Sequence, residues 1–159
     1  MDVSWRSDMK DDMSGELNLV KLCVGAEKVS DLARWRNARE AEARANGIEY
    51  TPNHITRMWP RREAELLDGG SLYWVFKGLI LARQRILRLD EVIGEDGIRR
   101  CALMFEHDLM LTEAHRRRPF QGWRYLTKAD APKDIGLYRA DQEEIPGALR
   151  AELSALGVL

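Results

Sequence analysis

Between Leu17 and Val24, Leu17, Leu19, Lys21 and Cys23 alternate with Asn18, Val20, Leu22 and Val24. That period of two predicts a strand whose second face is the more apolar, and Gly25 ends it. From Ser30 to Asn46 the period lengthens to that of a helix. Ser30 and Asp31 supply an N-cap, Val29 a staple, and Asn46-Gly47 a stop. Its inner stripe is thin (Leu32, Trp35, Ala38 and Ala45) and the rest alternates Arg with Glu, which predicts a helix lying on a sheet with one wide face in water. Tyr50–Asn53 reads as a loop and His54–Met58 as a short strand, broken at Trp59-Pro60 because the residue before proline avoids the helical region. Pro60 then opens a short helix over Arg61–Leu67, and Asp68-Gly69-Gly70 turns the chain.

The strongest strand pattern is Ser71–Gly78, with Leu72, Trp74 and Phe76 on one face and Tyr73, Val75 and Lys77 on the other. Ile80–Val92 predicts a long, bulged strand. The Gly94-Glu95-Asp96-Gly97 turn joins it to a partner over Ile98–Glu106, and the Asp-Gly pair predicts positive φ at both turn residues. Leu109–Glu113 is a further short strand, His115–Pro119 a basic loop, and Phe120–Leu126 a turn followed by a strand. Asp130–Pro146 reads as acidic loop and Gly147–Leu156 as a helix with Leu149, Leu153 and Leu156 inward. Central strands with helices at both ends predict an α+β protein: a small, mostly antiparallel curled sheet or barrel flanked by helices. Residues 1–16, rich in aspartate and holding Trp5, read as a disordered leader without the apolar stretch of an export signal, and 17–159 as one domain.

Composition changes this picture little. The 159 residues carry a net charge of −1. Residues 1–53 are net −2, 54–128 net +4 and 129–159 net −3, so only the middle segment attracts an anion by charge, and nearly all its basic residues are Arg. The longest apolar run, Leu79–Ala82, is far short of the ~18 residues of a membrane span, so no membrane is expected as a partner. Cys23 and Cys101 stand far apart among apolar residues, which suits small core side chains in a reducing, cytoplasmic setting.

Two stretches carry candidate chemistry. Arg57-Met58-Trp59-Pro60-Arg61-Arg62 sets guanidinium groups beside an indole, and Arg116-Arg117-Arg118-Pro119-Phe120-Gln121-Gly122-Trp123-Arg124-Tyr125 repeats the theme. Indoles stack on bases and arginines hold phosphates. Gathered round one opening, Arg57, Trp59, Arg61, Arg62, Arg116, Arg117, Arg118, Trp123 and Arg124 would bind RNA or a nucleotide; the alternative is core indoles with solvated arginine neighbours. Trp74 reads as core. His54, His107 and His115 are scattered, and Glu106-His107-Asp108 is contiguous, so no metal is expected. No nucleophile motif, phosphate-binding loop or dinucleotide fingerprint occurs, and no cofactor is expected. Lys77, ending an apolar strand, is the one candidate catalytic group: partial desolvation would lower its pKa and make it a base or nucleophile, against the plainer reading of an edge lysine in water.

Several runs together resemble the bacterial domain-of-unknown-function 1489 family: Leu19-Val20-Lys21-Leu22-Cys23-Val24-Gly25, His54-Ile55-Thr56-Arg57-Met58-Trp59-Pro60, Gly69-Gly70-Ser71-Leu72-Tyr73-Trp74-Val75-Phe76-Lys77-Gly78 and Arg83-Gln84-Arg85-Ile86-Leu87. Glu95-Asp96-Gly97-Ile98-Arg99-Arg100-Cys101 and Arg118-Pro119-Phe120-Gln121-Gly122-Trp123-Arg124-Tyr125-Leu126 extend the resemblance to about residues 17–159. It implies no activity. The element order is also similar to PUA-like barrels, the group of ASCH and EVE domains. That resemblance implies a small β-barrel with a cleft for RNA or a modified base, and, by way of amidohydrolase relatives that use a lysine, a role for Lys77. Three functions stand as expectations: an RNA- or modified-nucleotide-binding module, a small hydrolase of a modified nucleoside using Lys77, and a protein-interaction domain presenting the charged helix. Nothing in the chain sets an oligomeric state.

Overall fold

The computed structural model describes residues 15–140. Most of the leader reading, with Trp5, and the Gly147–Leu156 helix lie outside the described residues. The strands are β1 (Leu17–Leu22), β2 (Asn53–Thr56), β3 (Ser71–Phe76), β4 (Leu79–Ile93), β5 (Arg99–Phe105), β6 (Met110–Arg116), β7 (Trp123–Thr127) and β8 (Asp134–Leu137). Helix α1 covers Val29–Ala45 and α2 Glu63–Leu66.

β1 and β3 are sheet centre on both faces, and that decides the topology. They pair in parallel, Leu19 opposite Leu72, which obliges a long crossover; α1, β2 and α2 occupy it. β7 flanks β1 and β4 flanks β3, both antiparallel. β4 is long enough to be shared: its first half pairs with β6 and its second with β5, with bulges that bend it. β2 extends β5 and β8 extends β6, giving one mixed sheet of eight strands. Leu72, Trp74 and Phe76 enter the main core while Tyr73 and Val75 enter a smaller cluster on the other face, as their alternation predicts. In β1 the expectation reverses. Leu17, Leu19 and Cys23 face the main core, and Val20 and Leu22 the smaller cluster.

The sheet is curled but open. Its path runs β2-β5-β4-β3-β1-β7, and β2 and β7 do not pair. The closed-barrel alternative is therefore not what forms. Curvature is nonetheless strong: His54 on β2 meets Trp74 on β3 edge-on, centroids 5.3 Å apart, although β5 and β4 separate them in the ladder. The two ends of the path are fastened through side chains instead, as described below.

Helix α1 starts one turn-position earlier than predicted. Lys28 is the N-cap residue, and Asp31 reaches back to accept the backbone N–H groups of Glu27 (2.9 Å) and Lys28 (3.2 Å). These bonds, led by that from Glu27, hold its carboxyl below the usual range. The inward stripe is Val29, Leu32, Ala33, Arg36, Glu40 and Ala43 rather than Leu32, Trp35, Ala38 and Ala45; Ala38 and Ala45 are exposed. Gly25, at φ +88°, is the turn that brings Trp35 down: a Cβ there would sit 3.4 Å from the indole. Gly70 packs tighter still, since an added Cβ would collide with the Leu66 carbonyl oxygen.

Two further departures have local causes. In the β4–β5 turn only Gly97 has positive φ, and its N–H bonds the Gly94 carbonyl (2.9 Å); Asp96 instead spends its carboxylate on the Ile98 N–H and Arg100. β8 falls within the stretch expected to be loop. It is fixed by the buried Arg83, whose guanidinium grips Asp134 through two bonds (2.8 and 2.7 Å) and donates a third to Ser71 Oγ (2.8 Å). No helix among the described residues is long and apolar enough to cross a membrane.

Candidate functional site

The first Arg-Trp run is structural in its contacts. After β2 the chain crosses the open end of the sheet to reach β7. There Trp123 Nε1 donates to the Met58 carbonyl (2.9 Å) and the Tyr125 hydroxyl accepts the backbone N–H groups of Arg61 (3.0 Å) and Arg62 (3.1 Å). Trp123 is buried against the core and meets Tyr125 edge-on. Trp59 is half-buried, donates Nε1 to Glu63 (3.2 Å) and is covered by the Arg99 guanidinium at 4.2 Å. Arg62 stacks over Tyr125 and pairs with Glu65, which raises the arginine's pKa and lowers the carboxylate's. Arg57 and Arg61 are exposed. This assembly is a clasp between the two ends of the curled sheet.

The second run does not join it on one rim. On β7, Trp123 and Tyr125 face the main core, whereas Leu126 packs in the smaller cluster on the other face, as alternation requires. Arg124 goes with the latter face: it stacks on Phe120 at 5.2 Å, and Phe120 packs against the smaller cluster. Arg117 covers the same ring at 5.6 Å. Arg116 ends β6 and Arg118 lies in the following loop, both exposed. The Arg57–Arg62 stretch and the Arg117/Arg124 pair therefore lie on opposite faces of the sheet. Lys77 sits in the two-residue turn between β3 and β4 at φ +48°, its side chain 68% exposed and 2.9 Å from Glu27 Oε1. The expected desolvation is absent there because the strand ends one residue earlier.

A different group of side chains encloses a pocket. Between α1 and the concave side of the sheet lies a cavity of about 190 Å³. Trp35, Arg36 and Arg39 descend from α1; Tyr50, Asn53 and His54 come from the approach to β2 and from β2 itself; Trp74, Gln84 and Phe105 form the sheet side. The floor is polar and ordered. Trp74 Nε1 donates to Gln84 Oε1 (3.0 Å), and both residues are buried. His54 Nε2 is buried and has no hydrogen-bond partner among the described residues. Arg36 Nη1 donates to the His107 carbonyl (2.7 Å), which holds it over the cavity, while Arg39 is exposed and makes no ion pair with a described residue.

Electrostatics mark the same place. Burial, then the positive charges of Lys21 and Arg39, pull the His54 pKa down to about 4, so the ring is neutral at pH 7. Lys21 is the desolvated lysine that Lys77 is not. It is half-buried on the core face of β1, opposite Trp74 on β3 and Trp123 on β7, and burial lowers its pKa. Burial, helped by the charge of Asp31, pushes the Cys23 thiol up to about 12, which removes it as a nucleophile. Cys101, pushed up to about 11 chiefly by burial, is equally inert. Among the described residues no three His, Cys, Asp or Glu side chains are placed to hold a metal.

None of these pocket residues stands out along the chain. Trp35 and the arginines flanking it repeat the Arg-Trp pairing of the two runs, but a charged helix hides the signal. The structure thus defines an α+β protein whose curled, open sheet and crossing helix enclose a polar-floored, cation-rimmed pocket. The chain belongs to the family described as Protein of unknown function (DUF1489), whose model matches residues 19–159. No curated protein and no solved structure matches it.

Proposed function

We propose that the protein is a binding module for a nucleotide-type ligand, a flat heteroaromatic ring carrying an anionic group, and that the pocket under α1 is where it binds. The observation that carries this reading is the coincidence, in one cavity, of aromatic walls, an unpartnered buried ring nitrogen on His54 and two arginines from α1. The cavity, at about 190 Å³, is smaller than the roughly 300–1,000 Å³ of drug-sized sites, which suits one ring inside with sugar and phosphate outside against Arg36 and Arg39. A neutral His54 beside Lys21 and Arg39 leaves the site net positive, favouring an anion. Gripping of a long RNA backbone is less well supported, because the arginines of the two runs lie on opposite faces. Both cysteines are free and buried, which supports a reducing, cytoplasmic setting.

The test is titration of nucleoside monophosphates against the intrinsic fluorescence of the protein at low and at physiological salt. Saturable binding that weakens as salt rises is the expected result. No saturation up to about 10 mM at low salt, beyond the millimolar range where binding energy is still about 4 kcal/mol, would remove the reading.

A further inference from the structure

The pocket floor presents two fixed hydrogen-bonding atoms, and their polarity follows from their surroundings. Indole N–H can only donate, so the Gln84 amide must turn its oxygen to Trp74 Nε1. Its NH₂ is thereby left as a donor, and it makes no hydrogen bond with another described residue. Gln84 is buried, so this orientation is not averaged by solvent. His54 Nε2 is the complementary group. In a neutral imidazole one nitrogen carries the proton and the other a lone pair. A buried N–H without an acceptor is rarer and costlier than a buried acceptor without a donor, so the lone pair belongs on the unpartnered Nε2. Both side chains are tied to the same indole: His54 stands edge-on to Trp74 at 5.3 Å, and Gln84 bonds its nitrogen.

We propose that Gln84 and His54 select a ring with a lactam edge, a carbonyl oxygen beside a ring N–H, and reject the edge of reversed polarity, an amino group beside a bare ring nitrogen. The Gln84 amide donates to the carbonyl and the ring N–H donates to His54 Nε2. A reversed edge sets donor against donor and lone pair against lone pair. This inference rests on the nucleotide reading of the pocket and narrows its substrate class.

UMP and CMP test it, being alike in size and charge and opposite at this edge. UMP is expected to bind at least tenfold more tightly than CMP, a ratio typical of buried polar selection. In His54→Phe the ring shape is kept and the acceptor lost, and the ratio should fall to about one. Because that variant also alters the core, the unsubstituted protein supplies an independent reading: in its UMP complex the ¹⁵N shifts of His54 should report a proton on Nδ1 and a hydrogen-bonded lone pair on Nε2. Equal or tighter binding of CMP, or a proton on Nε2, overturns the selection while leaving the pocket a nucleotide site. Binding of neither nucleotide overturns both.

Discussion

The clasp and the pocket are built from the same residue types and are finished differently. In the clasp every indole and phenol polar atom has a partner: Trp123 bonds Met58, Trp59 bonds Glu63, and Tyr125 takes two backbone N–H groups. In the pocket, Trp74 is satisfied but His54 Nε2 is not, and Arg39 has no ion pair with a described residue. A buried polar atom left open carries a cost that a purely structural site has reason to avoid. The difference teaches that an Arg-Trp cluster becomes a candidate site through the bonds it leaves unmade.

Substitutions sharpen that contrast. The largest effect is expected at Trp123→Ala, which removes a core indole and the bridge to Met58; urea unfolding should show a loss of roughly 3–5 kcal/mol. His54 comes next, through pH. Its folded pKa of about 4 lies below the ordinary 6.5, so the unfolded chain takes up the proton first. Its contribution is complete above about pH 6.5 and disappears as pH falls toward 4. The loss is on the order of 3 kcal/mol, and thermal melts across that window should flatten in His54→Phe. Arg39→Ala should leave stability within about 0.5 kcal/mol yet weaken nucleotide binding about tenfold, close to 1.4 kcal/mol, with a shallower salt dependence. Tyr125→Phe should do the reverse, costing about 1 kcal/mol of stability with ligand affinity unchanged. The smallest effect belongs to Lys77→Met. Its exposed pair with Glu27 makes a change beyond about 0.5 kcal/mol, or any change in ligand handling, contrary to expectation.

The sheet was legible wherever alternation ran long enough to be read, as in Ser71–Phe76 and the bulged Leu79–Ile93. β8 was not, because four residues with a glycine carry no pattern, and its place is set by Asp134 meeting the buried Arg83 from far along the chain. The stripe of α1 misled for a related reason. Trp35 attracts attention as the largest apolar residue, yet Val29 and Ala33 lie deepest, since small side chains let the helix approach the sheet. The candidate site was legible only as a residue vocabulary. Trp35, His54, Trp74 and Gln84 come from four separate elements, and what joins them is the curl of the sheet, which no local period encodes. Lys21 illustrates the same limit: it looks like one polar position in an alternating strand, and only the wrap buries it.

The gap between β2 and β7 has a mechanical consequence. A circle of strands closed by its ladder has a fixed circumference, because widening it means re-registering an entire strand. Here the circumference ends in a buckle of three side-chain contacts to a short stretch of backbone. Such a ring can loosen or tighten at the buckle while all its strand pairings persist, and the diameter it sets is that of the chamber in which His54 faces Trp74.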